Sequence, residues 1–183
     1  MSRCVRHATA KIGRSTSVAG SLTIGGLRIF EEFRPMSLAC RVRAITDPSS
    51  LEGTAYVEVM AGPYTNRCWN DGSLFFEEEV FGYIEPTIER FEPTYDHYAF
   101  TQISMLDWEK IIEALAGVRS RLEMETSKPD MLQQIGFLFT DSKERFTESM
   151  TANCVALGAM ISQIETWTSE NRLRHSCVTI LGL

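Results

Sequence analysis

The sequence predicts an α+β fold: a small mixed or antiparallel sheet packed on one face by helices, with a long C-terminal helix and a terminal strand. Three observations predict it. Short runs rich in β-branched and aromatic residues are bounded by turn sequences. Apolar residues recur at intervals of three and four over 105–122 and 146–168. The chain then closes with Cys177-Val178-Thr179-Ile180-Leu181, a last β-type run.

Taken in order, Leu38–Ile45 and Thr54–Met60 read as strands able to form an antiparallel pair, separated by Asp47-Pro48-Ser49-Ser50. Turn residues fill 61–72. Phe76, Val80, Ile84, Ile88 and Phe91 then favour a helix, which Pro86 must interrupt near Glu85 because proline has no amide hydrogen to donate. Tyr95–Ile103 has strand-forming types. Ser104 followed by Asp107 marks a helix start, and Met105, Trp108, Ile112, Leu115 and Leu122 form its buried stripe to about residue 125. Gly117 weakens that helix without ending it. Thr126–Asp130 reads as a connector, and Phe137-Leu138-Phe139 is either a strand or a buried turn. Asp141 with Glu144 resembles a capping box opening a helix over 141–171, whose stripe is Phe146, Met150, Cys154, Leu157, Ile161, Ile164 and Thr168. Arg172, Arg174 and His175 suit the negative end of its dipole.

The length of 183 residues fits one domain with one core, and 44% hydrophobic and 23% charged residues exclude a disordered tail or a coiled-coil rod. Charge is unevenly placed. Residues 1–35 are Arg-, Ser- and Thr-rich with a net charge of plus four, which leaves minus ten on residues 36–183. The first 35 residues therefore read as a disordered leader or a misassigned start before Met36, with a transit peptide as a further reading. Residues 36–183 read as a single α+β domain. An acidic body disfavours nucleic acid as a partner. No run of eighteen apolar residues calls for a membrane span, and five cysteines without a CxxC pair fit a reduced, cytoplasmic setting.

No serine-hydrolase elbow, P-loop, EF-hand or zinc spacing is present in the sequence, so no catalytic residue, metal or cofactor is assigned. What stands out is a cluster of eight acids over 71–96, with Arg90 as the sole cation. On a continuous helix, Glu78, Glu85, Glu89 and Glu92 would share one face. Unpaired carboxylates are costly to bury, so that face is expected to meet water, a metal or a basic partner. With Asp96, and with Tyr95 and Tyr98 as aromatic anchors, these residues form the expected partner-binding face. The alternative is a small enzyme or ligand-binding domain with a pocket around His97, using Asp96 and Tyr98 beside it.

The acidic aromatic region, the segment Tyr95-Asp96-His97-Tyr98-Ala99-Phe100-Thr101-Gln102-Ile103 leading to Trp108, the segment Gly136-Phe137-Leu138-Phe139-Thr140-Asp141-Ser142 and the terminal Ile180-Leu181-Gly182-Leu183 together resemble small bacterial proteins, some of which are immunity proteins of toxin systems. The resemblance covers residues 36–183. It implies a cytoplasmic, non-enzymatic protein that neutralises a basic toxin, and it brings no catalytic residues with it. Neither the partner nor the oligomeric state follows from the sequence.

Overall fold

A computed structural model of the chain describes residues 41–124 and 132–183. The expected leader over 1–35, the start of the expected strand Leu38–Ile45 and the connector Thr126–Asp130 lie outside the described residues. Four strands form one antiparallel sheet: β1 (Tyr56–Ala61), β2 (Leu74–Glu77), β3 (Phe100–Ser104) and β4 (Cys177–Leu181), in the order β2-β1-β4-β3. The helices are α1 (Glu78–Gly82), α2 (Glu85–Phe91), α3 (Met105–Glu123), α4 (Ser142–Glu148) and α5 (Met150–Asn171). The α+β class and the terminal strand are as the sequence predicts, and β4 lies between β1 and β3 with every residue buried.

Register sorts the side chains by face. Val57, Val59, Leu74, Phe76, Ile103, Val178 and Ile180 join the helices in the main core, with Trp108, Leu115, Leu157 and Ile161 among its contributors. Glu58, Met60, Phe75, Phe100, Thr179 and Leu181 alternate with them and point to the opposite face. That second face is covered by the loop over 62–73. Trp69 stacks on Phe75 at 5.8 Å, Tyr64 meets Phe100 edge-on at 4.8 Å, and Thr179 Oγ1 donates to the Gly62 carbonyl at 2.7 Å.

Several expected elements are displaced, each for a physical reason. Residues 41–45 form no strand; Ile45 makes a single bridge to Phe75 through two 2.8 Å hydrogen bonds. The partner of β1 is instead Leu74–Glu77, where a helix was expected from Phe76 onward. Leu74, Phe75 and Phe76 are all buried, one set under the helices and the other under the loop, so the two-residue period leaves no polar mark. The break near Glu85 is present, with Pro86 in the first turn of α2, where a missing amide hydrogen costs nothing. Strand β3 begins only at Phe100, because Asp96 turns the chain, accepting from the Tyr98 amide at 2.9 Å.

Helix α3 starts where expected. Ser104 Oγ accepts from the Asp107 amide at 3.1 Å while its hydroxyl donates to the Asp107 carboxylate at 2.7 Å. The expected helix over 141–171 is divided at Ser149 into α4 and α5. Asp141 has helical backbone angles and makes no capping bond; its carboxylate pairs with Arg145 at 2.8 Å. The buried stripe runs through the division unbroken, and buried Asn153 Nδ2 donates to the Phe146 carbonyl at 2.8 Å, replacing a bond lost at the break.

Candidate functional site

The acidic run folds into β2, two short helices and the turn over 92–99, and this bending brings separated acids around one imidazole. Glu85, in the first turn of α2, is only 8% exposed. Its Oε1 accepts from the Tyr95 hydroxyl at 2.5 Å and shares a short hydrogen bond with His97 Nδ1. On the other side of the ring, His97 Nε2 lies 3.4 Å from Glu78 Oε1 and makes no hydrogen bond. The ring meets Tyr98 edge-on at 4.7 Å.

Electrostatics follow from this geometry. Burial opposes charge on His97, but its hydrogen bond to Glu85 and the charges of Glu85 and Glu78 outweigh burial, so its pKa is raised above the ordinary histidine value. Burial, reinforced by the Glu85 charge, also pushes the Tyr95 hydroxyl well above the usual tyrosine range. Tyr95 is therefore a fixed donor, and His97 favours the cation.

The expected site residues separate into two groups. Glu78, Glu85, Tyr95, Asp96 and Tyr98 come together around His97, with Asp96 exposed and Tyr98 60% exposed. Glu85 corrects the expectation of an open acidic helix face: the chain bends between Gly82 and Glu85, and the carboxylate is buried because Tyr95 and His97 compensate it. Glu89 is exposed further along α2, and half-buried Glu92 accepts from the Thr94 amide at 3.3 Å and from the Thr94 hydroxyl.

Sequence reasoning did not single out a second group beside the first. Buried Glu79 accepts from Arg145 Nη2 at 2.9 Å and lies 3.5 Å from the Tyr83 hydroxyl. Arg41 pairs with Glu77. Arg41, Glu52, Tyr56, Glu77, Glu78 and Glu79 belong to the wall of an open cleft of about 310 Å³ that adjoins the His97 cluster through Glu78. Nothing local in the sequence links Glu79 to Arg145, since their contact depends on how α4 docks against α1. The walls of this and four other surface clefts do not include His97, so the cavity that a His97-centred enzyme requires is not among them.

Among the described residues, no group of three or more His, Cys, Asp or Glu is placed to hold a metal ion, and no helix is long and apolar enough to cross a membrane. Cys68 is disulfide-bonded, which the expectation of a reducing setting does not account for, whereas Cys154 and Cys177 are buried. No protein-family model matches the chain, and no curated protein or solved structure is significantly similar to it.

Proposed function

We propose that the chain is a non-enzymatic binding protein that receives a basic protein on the acidic, aromatic face around Tyr98, in its most specific form a bacterial cytoplasmic immunity protein that occludes a basic toxin. The observation that carries this reading is the setting of Tyr98. Its ring is 60% exposed yet braced edge-on by His97, and Asp96 and Glu89 are exposed on neighbouring segments. A braced aromatic loses little conformational freedom on binding, and surrounding carboxylates steer a cationic partner and set its register. The half-open cleft beside Glu78 extends the negative surface.

The test is affinity capture by the tagged full chain from lysate of its source organism, at low and moderate salt. A single basic protein retained in stoichiometric amount, and lost with Tyr98→Ala or with Glu89→Lys combined with Asp96→Lys, is the expected result. Recovery of the chain alone, or capture unaffected by those changes, overturns the proposal. Glu85 is left intact because its side chain is part of the fold.

A further inference from the structure

Helices α2 and α3 and the turn at Gln133-Gln134 line a groove of about 450 Å³. Among the described residues its wall includes Arg90 and Arg121 and no acid, while each of the other four clefts has at least one glutamate. This is unusual in a body carrying minus ten over residues 36–183. Arg41, Arg119, Arg145 and Arg172 each pair with a carboxylate, but neither Arg90 nor Arg121 forms an ion pair among the described residues. Besides the two arginines, of which Arg90 lies over the Phe91 ring at 5.4 Å, the groove wall includes Pro86, Ala114, Gly117 and Val118, with Thr87 as a polar neighbour.

Gly117 adds an independent indication. It lies in the interior of α3, where glycine is the least favourable residue after proline. A Cβ there would meet only Arg121 Nη2, at an ordinary 3.8 Å, so neither packing nor backbone conformation requires glycine. A missing methyl group does keep the apolar floor of the groove open.

We propose that this groove is a binding site for a small organic anion, with a carboxylate or phosphate-ester head held by Arg90 and Arg121 and an apolar body lying over Ala114, Gly117 and Val118. Guanidinium forks suit either head. The volume falls within the range of small-ligand sites. The groove shares α2 with the acidic face but none of the residues assigned to that face, and the proposal does not depend on that face's function.

The experiment is titration of the full chain with phenylacetate, phenyl phosphate, inorganic phosphate and benzyl alcohol, followed by amide chemical shifts and calorimetry. Saturable binding of phenylacetate or phenyl phosphate is expected, and which of them binds more tightly identifies the head group. Inorganic phosphate and benzyl alcohol, each lacking one half of the ligand, are expected to bind at least about tenfold more weakly. Arg90→Ala and Arg121→Ala are each expected to weaken binding about tenfold, while Arg43→Ala leaves it unchanged. Gly117→Ala is expected to raise the melting temperature and weaken binding together, a combination that a purely structural glycine would not produce. Failure of both organic anions to saturate, equal binding of inorganic phosphate, or indifference to both arginine substitutions overturns the proposal.

Discussion

Glu85 and His97, twelve positions apart, share a short hydrogen bond in a site where each side chain is 10% exposed, and the same Glu85 oxygen also takes the Tyr95 hydroxyl. The bond fastens the turn over 92–99 to the start of α2. It also makes the stability of the domain depend on pH in a definite direction. The folded pKa of His97 is raised above 6.5, so its stabilising contribution is complete below that value and is lost as pH rises through the folded pKa. Urea unfolding of the wild type and His97→Gln should differ by roughly 1.5–3 kcal/mol near the low end of this window, the range for a hydrogen bond to a charged group. The difference should shrink steadily at higher pH. The charged groups involved are Glu85 and Glu78, with Tyr95 remaining a neutral donor. A difference that stays constant from about pH 6 to 9, across the histidine range, would show that charge on His97 is unimportant.

Glu58 poses the opposite problem, a carboxylate on β1 that is 2% exposed and has no cation among its hydrogen-bond partners. Its two oxygens accept from the Trp69 amide at 2.6 Å, the Asn70 amide and side chain at 2.9 Å each, and the Ser73 hydroxyl at 2.7 Å. These bonds hold the loop over 62–73 against the second face of the sheet, including Trp69 in its left-handed conformation with φ 63°. Glu58→Gln would turn an NH₂ group toward donors and should cost about 1–3 kcal/mol in urea unfolding. Glu58→Ala removes the acceptor of all four of these hydrogen bonds and should cost more. A loss below about 0.5 kcal/mol, the size of an ordinary surface change, would mean that the loop is held by its aromatic contacts instead.

The difference in legibility between these two acids is instructive. Glu78, Asp96, Tyr95 and Tyr98 were visible as an acidic aromatic cluster because they lie close in sequence, and Ser104 with Asp107 marked the start of α3 for the same reason. The burial of Glu85 was not visible, since it depends on the chain bending after Gly82 and on Tyr95 returning to it. Glu58 was not singled out in the sequence, and it is the covering loop that makes it internal. The division of the C-terminal helix at Ser149 was hidden by a hydrophobic stripe that continues across it, and β2 by the apolarity of both its faces. Local rules therefore recovered the Ser104 cap and the buried stripes but not the Asp141 cap, while contacts between distant segments decided which acids face solvent.

Two glycines mark places where backbones approach too closely for any side chain. A Cβ on Gly182 would lie 2.3 Å from the His97 carbonyl oxygen, and one on Gly136 would lie 2.1 Å from the Gly82 carbonyl oxygen. The neighbours are main chain and cannot rotate away. Gly182→Ala and Gly136→Ala should each destabilise the domain by about 1–3 kcal/mol or more, as overpacking does. In Gly182→Ala the displaced His97 segment should also flatten the pH dependence described above. Gly117→Ala provides the contrast, with an expected gain of roughly 0.5–1 kcal/mol from helix propensity. If all three substitutions change stability alike, close backbone contact is not what separates these glycines.

The long helices α3 and α5 are joined deep in the core by one polar contact, Trp108 Nε1 donating to Thr168 Oγ1 at 3.0 Å. Trp108 is fully buried and Thr168 nearly so, which leaves the indole N–H no access to water if its acceptor is removed. Thr168→Val keeps the volume close to native but deletes the acceptor, and an unpaired buried donor costs about 1–3 kcal/mol. Thr168→Ser keeps the oxygen and removes a methyl group, a loss of about 1 kcal/mol by area. If the hydrogen bond dominates, Val is the more damaging replacement even though it is the more hydrophobic residue. If packing dominates, Ser is the worse one. Paired thermal unfolding of the two variants separates these cases, and the order expected is wild type, then Thr168→Ser, then Thr168→Val.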